Sequence, residues 1–153
     1  MSTEESKSIV ELEMFRRFVL SSGLPVTTGS ERKGLAALGE PDILCEFSGQ
    51  PAGFELAETC APEFAAAASA ALKSPDGVAV ASGDDVSRTT LRKKLAKRYS
   101  VACPVHLLFY RNGLTVLTDE MIIARLQPEL ADGLGQFQTI WFHGDATHLV
   151  AAV

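Results

Sequence analysis

The sequence predicts an α/β domain in which helices flank a mixed β-sheet, and three observations predict it. Residues 4–22 carry apolar side chains at helical spacing. Two runs of alternating polarity, 42–47 and 51–58, flank Ser48-Gly49. Between helical segments lies an unbroken apolar run, 104–110.

The first helix is predicted from Ile9, Leu12, Phe15, Phe18 and Val19, which recur at spacings of three and four, with Arg16 and Arg17 on the other side. Gly23 and Pro25 end it. Residues 24–28 fit a short strand, and 29–40 carry no periodicity that places them. Ser48-Gly49 fits a two-residue hairpin turn. If Phe47 pairs with Gln50, then Asp42 faces Glu55. One face of the hairpin then carries Ile43, Cys45, Phe47, Ala52, Phe54 and Leu56. The other carries Asp42, Leu44, Glu46, Gly53, Glu55 and Ala57. A slip of one residue would mix the two sets, so the apolar pattern supports this pairing.

Helices are predicted over 61–73 and 85–99, the second acidic at its start and basic toward its end, as the helix dipole favours. The run 104–110 reads as a central strand because parallel strands are buried on both faces. Residues 114–117 read as a short strand, 119–131 as a helix capped by Thr118 or Asp119, and 137–142 and 147–152 as two strands around Gly144-Asp145.

The chain has 153 residues, 46% of them apolar and 22% charged, which is the composition of one globular domain spanning 1–153. A net charge of −5 argues against attraction of the whole molecule to nucleic acid or to an anionic membrane, and leaves local basic patches as the route to such partners. Cys45, Cys60 and Cys103 are odd in number and lack zinc-site spacing, and Cys45 and Cys103 each sit in an apolar run, so buried free thiols are expected there. The start of the chain has no signal-peptide core, and no apolar run approaches the roughly 20 residues that span a bilayer. A cytoplasmic protein that does not enter membranes is the expectation.

Two carboxylates facing each other across a hairpin suit a hard divalent cation, since Mg²⁺ takes one or two carboxylates, keeps waters and recruits phosphate oxygens. The same pattern also fits the solvated outer face of a half-exposed sheet. The order helix, strand, Pro41-Asp42 at a strand start, hairpin, Glu55-Leu56-Ala57 on the next strand, helix, strand resembles the PD-(D/E)xK nuclease superfamily. The resemblance covers about 4–110, the αβββαβ restriction-endonuclease-like core, and leaves an extra C-terminal helix and strands outside it. It implies a metal-dependent phosphodiesterase in which Asp42 and Glu55 hold Mg²⁺, assisted by Glu40 or Glu58.

The motif's lysine should stand at position 57, where this chain has Ala57. A catalytic cation must then come from elsewhere, and the helix bearing Arg88, Arg92, Lys93, Lys94, Lys97 and Arg98 offers several. Arg88 and Arg92 point into the apolar stripe of Leu91, Leu95 and Tyr99, so Arg92, or Lys94, is expected to stand in for the lysine. The basic helix 88–98 is the expected contact for a phosphate backbone. The loss of the lysine equally allows a catalytically inactive nuclease fold acting as a binding or interaction module. Some members of the superfamily that the chain resembles contribute a helix glutamate to the metal site; here Glu11 falls between apolar neighbours and Glu13 nearer the polar side, and both read as solvated carboxylates. His143 and His148 belong to a turn, and His106 reads as a core histidine. The last two strands offer an edge through which a homodimer could form.

Overall fold

The computed structural model describes residues 3–59, 81–111 and 117–153. Helix α1 spans Thr3–Ser22, and the two-residue strand β1 (Arg32–Lys33) follows a non-repetitive segment. After a 3-10 turn at Ala36–Leu38 come β2 (Ile43–Phe47) and β3 (Gln50–Glu58). Next are α2 (Ala81–Ala96), β4 (Val105–Tyr110), α3 (Asp119–Leu126) with a 3-10 turn at Gln127–Leu130, β5 (Phe137–His143) and β6 (Thr147–Ala152).

The described strands form one six-stranded sheet in the order β1-β2-β3-β4-β5-β6. The pairs β1/β2, β2/β3 and β5/β6 are antiparallel, and β3/β4 and β4/β5 are parallel. The sheet is therefore mixed and the chain is α/β. Phe47 pairs with Gln50 and Ile43 with Phe54, which is the register read from the alternation. Ser48 and Gly49 have φ of 52° and 78°, the left-handed pair that a two-residue turn needs to match strand twist.

Apolar side chains are buried on both faces of the sheet. Phe15 and Phe18 of α1 pack on Ile43, Phe54 and Leu56. On the opposite face Leu91 of α2 and Ile122 and Leu126 of α3 pack on Ala57, Leu107, Phe109 and Phe142. β4 lies between two parallel neighbours and all six of its residues are buried, as its unbroken apolar run requires.

Three expectations need correction, and one segment that the sequence left unplaced gains a strand. Residues 24–28 form a single bridge, Val26 to Phe47, because Pro25 and the Gly29 turn leave no room for a ladder. Segment 29–40 contributes β1, whose pairing is tertiary and leaves no periodic signal in two residues. The helix expected over 119–131 changes to 3-10 after Leu126, where Pro128 cannot donate a backbone hydrogen bond. On β3 the Glu55 face of the hairpin is not a solvated surface, since Glu55 and Ala57 are 1% and 6% exposed, whereas on β2 Leu44 is half-buried and Glu46 exposed as a solvated face would have them. The expected helix over 61–73, Cys60 and most of the expected strand 114–117 lie outside the described residues.

Candidate active site

The site is assembled where β2 begins. Gly53 donates its N–H to Pro104 O, toward β4. Leu56, of opposite parity on β3, therefore points its N–H toward β2, and the Asp42 carboxylate receives it at 2.9 Å. Asp42 in turn donates its own N–H to Glu55 Oε1 at 3.0 Å. These two bonds close the head of the hairpin, side chain to backbone in both directions. Pro41 is wedged between two glycines that keep it there. A Cβ on Gly53 would lie 2.5 Å from Pro41 Cγ, and one on Gly34 would run into the Pro41 carbonyl.

Helix α2 supplies the cations. Lys94 lies in the last turn of α2 and Lys97 just beyond its end at Ala96, and both ammonium groups reach Glu55 Oε2, at 2.8 and 3.1 Å. Lys33 of β1 comes from the other side, 2.5 Å from Glu11 Oε1 and 3.7 Å from Asp42 Oδ1. The cleft they share has a volume of about 440 Å³. A larger groove of about 910 Å³ runs along the hairpin past Cys45 and Cys103, but neither Asp42 nor Glu55 lines it.

Burial, then the charges of Glu55 and Glu11, push the Asp42 carboxyl up to about 7. Burial acts the same way on Glu55, but Lys94 and Lys97 outweigh it and hold that carboxyl below its usual range. Burial also opposes the charge on Lys33, yet its contact with Glu11 and the charges of Asp42 and Glu55 raise its pKa overall. Tyr99 is 5% exposed, and its hydroxyl finds no hydrogen-bond partner among the described residues. Its ring lies under Lys97 Nζ at 5.1 Å. Burial, followed by the nearby Glu55 carboxylate, raises its pKa.

The sequence-predicted residues fall into two groups. Asp42, Glu55 and Lys94 come together. Arg92 does not join them, because its side of α2 faces α3, and it binds Glu129 through Nε at 2.7 Å and Nη2 at 2.8 Å. Glu40 lines the cleft, but Arg32 and the Leu35 N–H occupy its carboxylate. Glu58 has the opposite parity to Glu55 and lies on the α1 side of β3.

Sequence reasoning missed Lys33, named Lys97 only among the cations of the basic helix, and set Glu11 among solvated carboxylates. Glu11 is 1% exposed. The signal was present in the spacing: the buried positions of α1 are 11, 14, 15 and 18, one helical stripe with a glutamate at its head.

His106 is the core histidine expected, whereas His143 ends β5 and His148 lies on β6, flanking the turn rather than forming it. His106 is buried, with Nδ1 2.7 Å from Thr139 Oγ1. His143 meets Thr147 Oγ1 at 2.9 Å across the β5–β6 turn. Asp119 holds that turn by accepting the N–H groups of Asp145 and Ala146 at 3.1 and 3.0 Å, with His148 Nε2 at 3.0 Å.

Among the described residues no group of three or more His, Cys, Asp or Glu side chains is placed to hold a metal ion. Mg²⁺ needs fewer, since one or two carboxylates suffice when waters and phosphate complete the shell. Asp42 Oδ1 and Glu55 Oε2 are the two oxygens not committed to the backbone, and the buried Tyr99 hydroxyl is close enough to Glu55 to feel its charge. By donor chemistry the pair suits Mg²⁺, provided the ammonium groups give way. No family model matches this chain, and neither a curated protein nor a solved structure does. Among the described residues no helix is long and apolar enough to cross a membrane.

Proposed function

We propose that the chain is a metal-dependent, nuclease-like phosphodiesterase acting in the Asp42–Glu55 cleft. The observation that carries this reading is the 2.8 Å contact of Lys94 with Glu55, which brings a cation from α2 to the carboxylate whose own strand has Ala57 in place of lysine. Ala57 packs in the core beneath α2, so its small side chain is compatible with that approach. Among the described residues the element order α1, β1, β2, β3, α2, β4 is compatible with the αβββαβ core of the PD-(D/E)xK superfamily, which supports the reading.

In this reading Asp42 and Glu55 hold Mg²⁺, which supplies a Lewis acid and lowers the pKa of bound water. Lys94 and Lys97 neutralise the phosphodiester oxygens as charge develops on them, a role suited to preplaced ammonium groups. Exposed Lys93 on α2 and exposed Arg98 just after it extend the positive charge along a nucleic-acid backbone. The test is cleavage of end-labelled single- and double-stranded DNA and RNA with Mg²⁺ or Mn²⁺. Wild type should cut at least one substrate, and Glu55→Gln and Lys94→Met should each lower the rate by about 10²-fold or more. A wild type inert on all four substrates contradicts the reading.

One observation favours a second reading, a catalytically inactive binding module. The carboxylate oxygens that a metal would use already face ammonium groups, three lysines against Glu11, Asp42 and Glu55. In that case nucleic acid would bind without any requirement for divalent metal.

A further inference from the structure

Glu11 is an almost fully buried carboxylate on a helix, and such a charge is costly unless it is paired. Its ion-pair partner is Lys33, whose ammonium also faces Asp42 Oδ1 at 3.7 Å. The one cation thus serves two acidic residues from two different elements, α1 and the start of β2. Lys33 is delivered by β1, the shortest strand and an edge of the sheet. Its backbone is tied to β2 by the Arg32–Leu44 and Lys33–Ile43 pairs and, one residue on, by Gly34 N–H to Asp42 O at 2.8 Å. Short edge elements open at lower free energy than the core strands.

We propose that Lys33 is an internal counter-cation for the cleft, and that a divalent ion must displace it from Asp42 in order to bind. This inference rests on the reading of the cleft as a cation site and adds its regulation. In the free protein the ammonium pairs with buried Glu11 and also faces the Asp42 carboxyl. When a divalent ion approaches with its phosphate-bearing ligand, Lys33 swings out on its flexible stem and the ion's two positive charges take its place beside Glu11 and Asp42. The three donors of Lys33 are then free for the ligand's phosphate oxygens. Lys33 therefore weakens metal binding in the absence of ligand and supports it in its presence.

The experiment is calorimetric titration of the full chain with MnCl₂, comparing wild type, Lys33→Gln and the double variant Lys33→Gln/Asp42→Asn. Lys33→Gln should bind Mn²⁺ at least tenfold more tightly than wild type, and the double variant should lose that gain. Equal or weaker binding by Lys33→Gln, with wild type binding, overturns the role of Lys33 and leaves the cleft reading intact. Absence of Mn²⁺ binding in both overturns both. Circular dichroism establishes whether Lys33→Gln folds. If it does not, the wild-type Lys33 Nζ signal, followed by ¹⁵N NMR during a Mg²⁺ titration, decides the matter. Movement toward the position of solvated lysines supports displacement, and an unmoved signal at saturating Mg²⁺ contradicts it.

Discussion

Asp42→Asn removes a carboxylate that the fold raises from 3.8 to about 7, while keeping a side-chain oxygen to accept the Leu56 N–H. A raised carboxyl binds its proton more tightly in the folded chain than in the unfolded one. Its stabilising effect is therefore complete below about pH 4, and it is lost as pH rises through about 7. The full difference corresponds to about 4 kcal/mol, and partial solvent access and the coupling to Glu55 make that a ceiling. The structure thus predicts that Asp42→Asn gains on wild type by about 2 kcal/mol between pH 5 and pH 8. Urea unfolding of both proteins at pH 5, 6, 7 and 8 measures this. The comparison cancels Glu58, His106 and His143, which also titrate away from their usual values. Glu55, held low by Lys94 and Lys97, acts only at the acid end and leaves this window clear. Parallel pH profiles for the two proteins would refute the argument that burial and neighbouring carboxylates hold Asp42 protonated.

Lys94→Met should cost about 1–3 kcal/mol in chemical denaturation, because Glu55 stays buried with Lys97 as its remaining lysine partner, whereas Arg92→Met breaks an exposed pair with Glu129 and should cost under about 1 kcal/mol. Gly53→Ala should destabilise by about 1–3 kcal/mol, since its Cβ would force Pro41 aside, and shifted amide resonances for Asp42 and Leu56 should accompany the loss. Ser48→Asn should raise stability by about 0.5 kcal/mol, since Asn tolerates the left-handed backbone at φ 52° better than Ser, and a thermal melt reads the gain.

The hairpin was legible because alternation and a two-residue loop both constrain parity, and together they place Asp42 opposite Glu55. The central strand was legible because burial on both faces leaves an unbroken apolar run. The solvent exposure of the second face was not, since it depends on α2 and α3 packing against it from elsewhere in the chain. Arg92 and Lys94 were hard to separate for a related reason. Helix periodicity shows how far each lies from Leu91, but the sequence does not show which flank of the stripe meets Glu129 of the α3 side and which meets Glu55. Lys33 left no trace, because a two-residue strand has no period. Glu11 was legible and misassigned: its place on the stripe of Met14, Phe15 and Phe18 outweighs the ordinary preference of glutamate for water once Lys33 is there to pair with it.

The central claim is that Asp42 and Glu55 form a divalent-cation site. Calorimetric titration of wild type and Asp42→Ala with MgCl₂ at pH 8, where Asp42 is ionised, tests it most directly. The account predicts saturable heat fitting one site in wild type and its loss in Asp42→Ala. No saturable heat in wild type, or the same heat in both proteins, would contradict it.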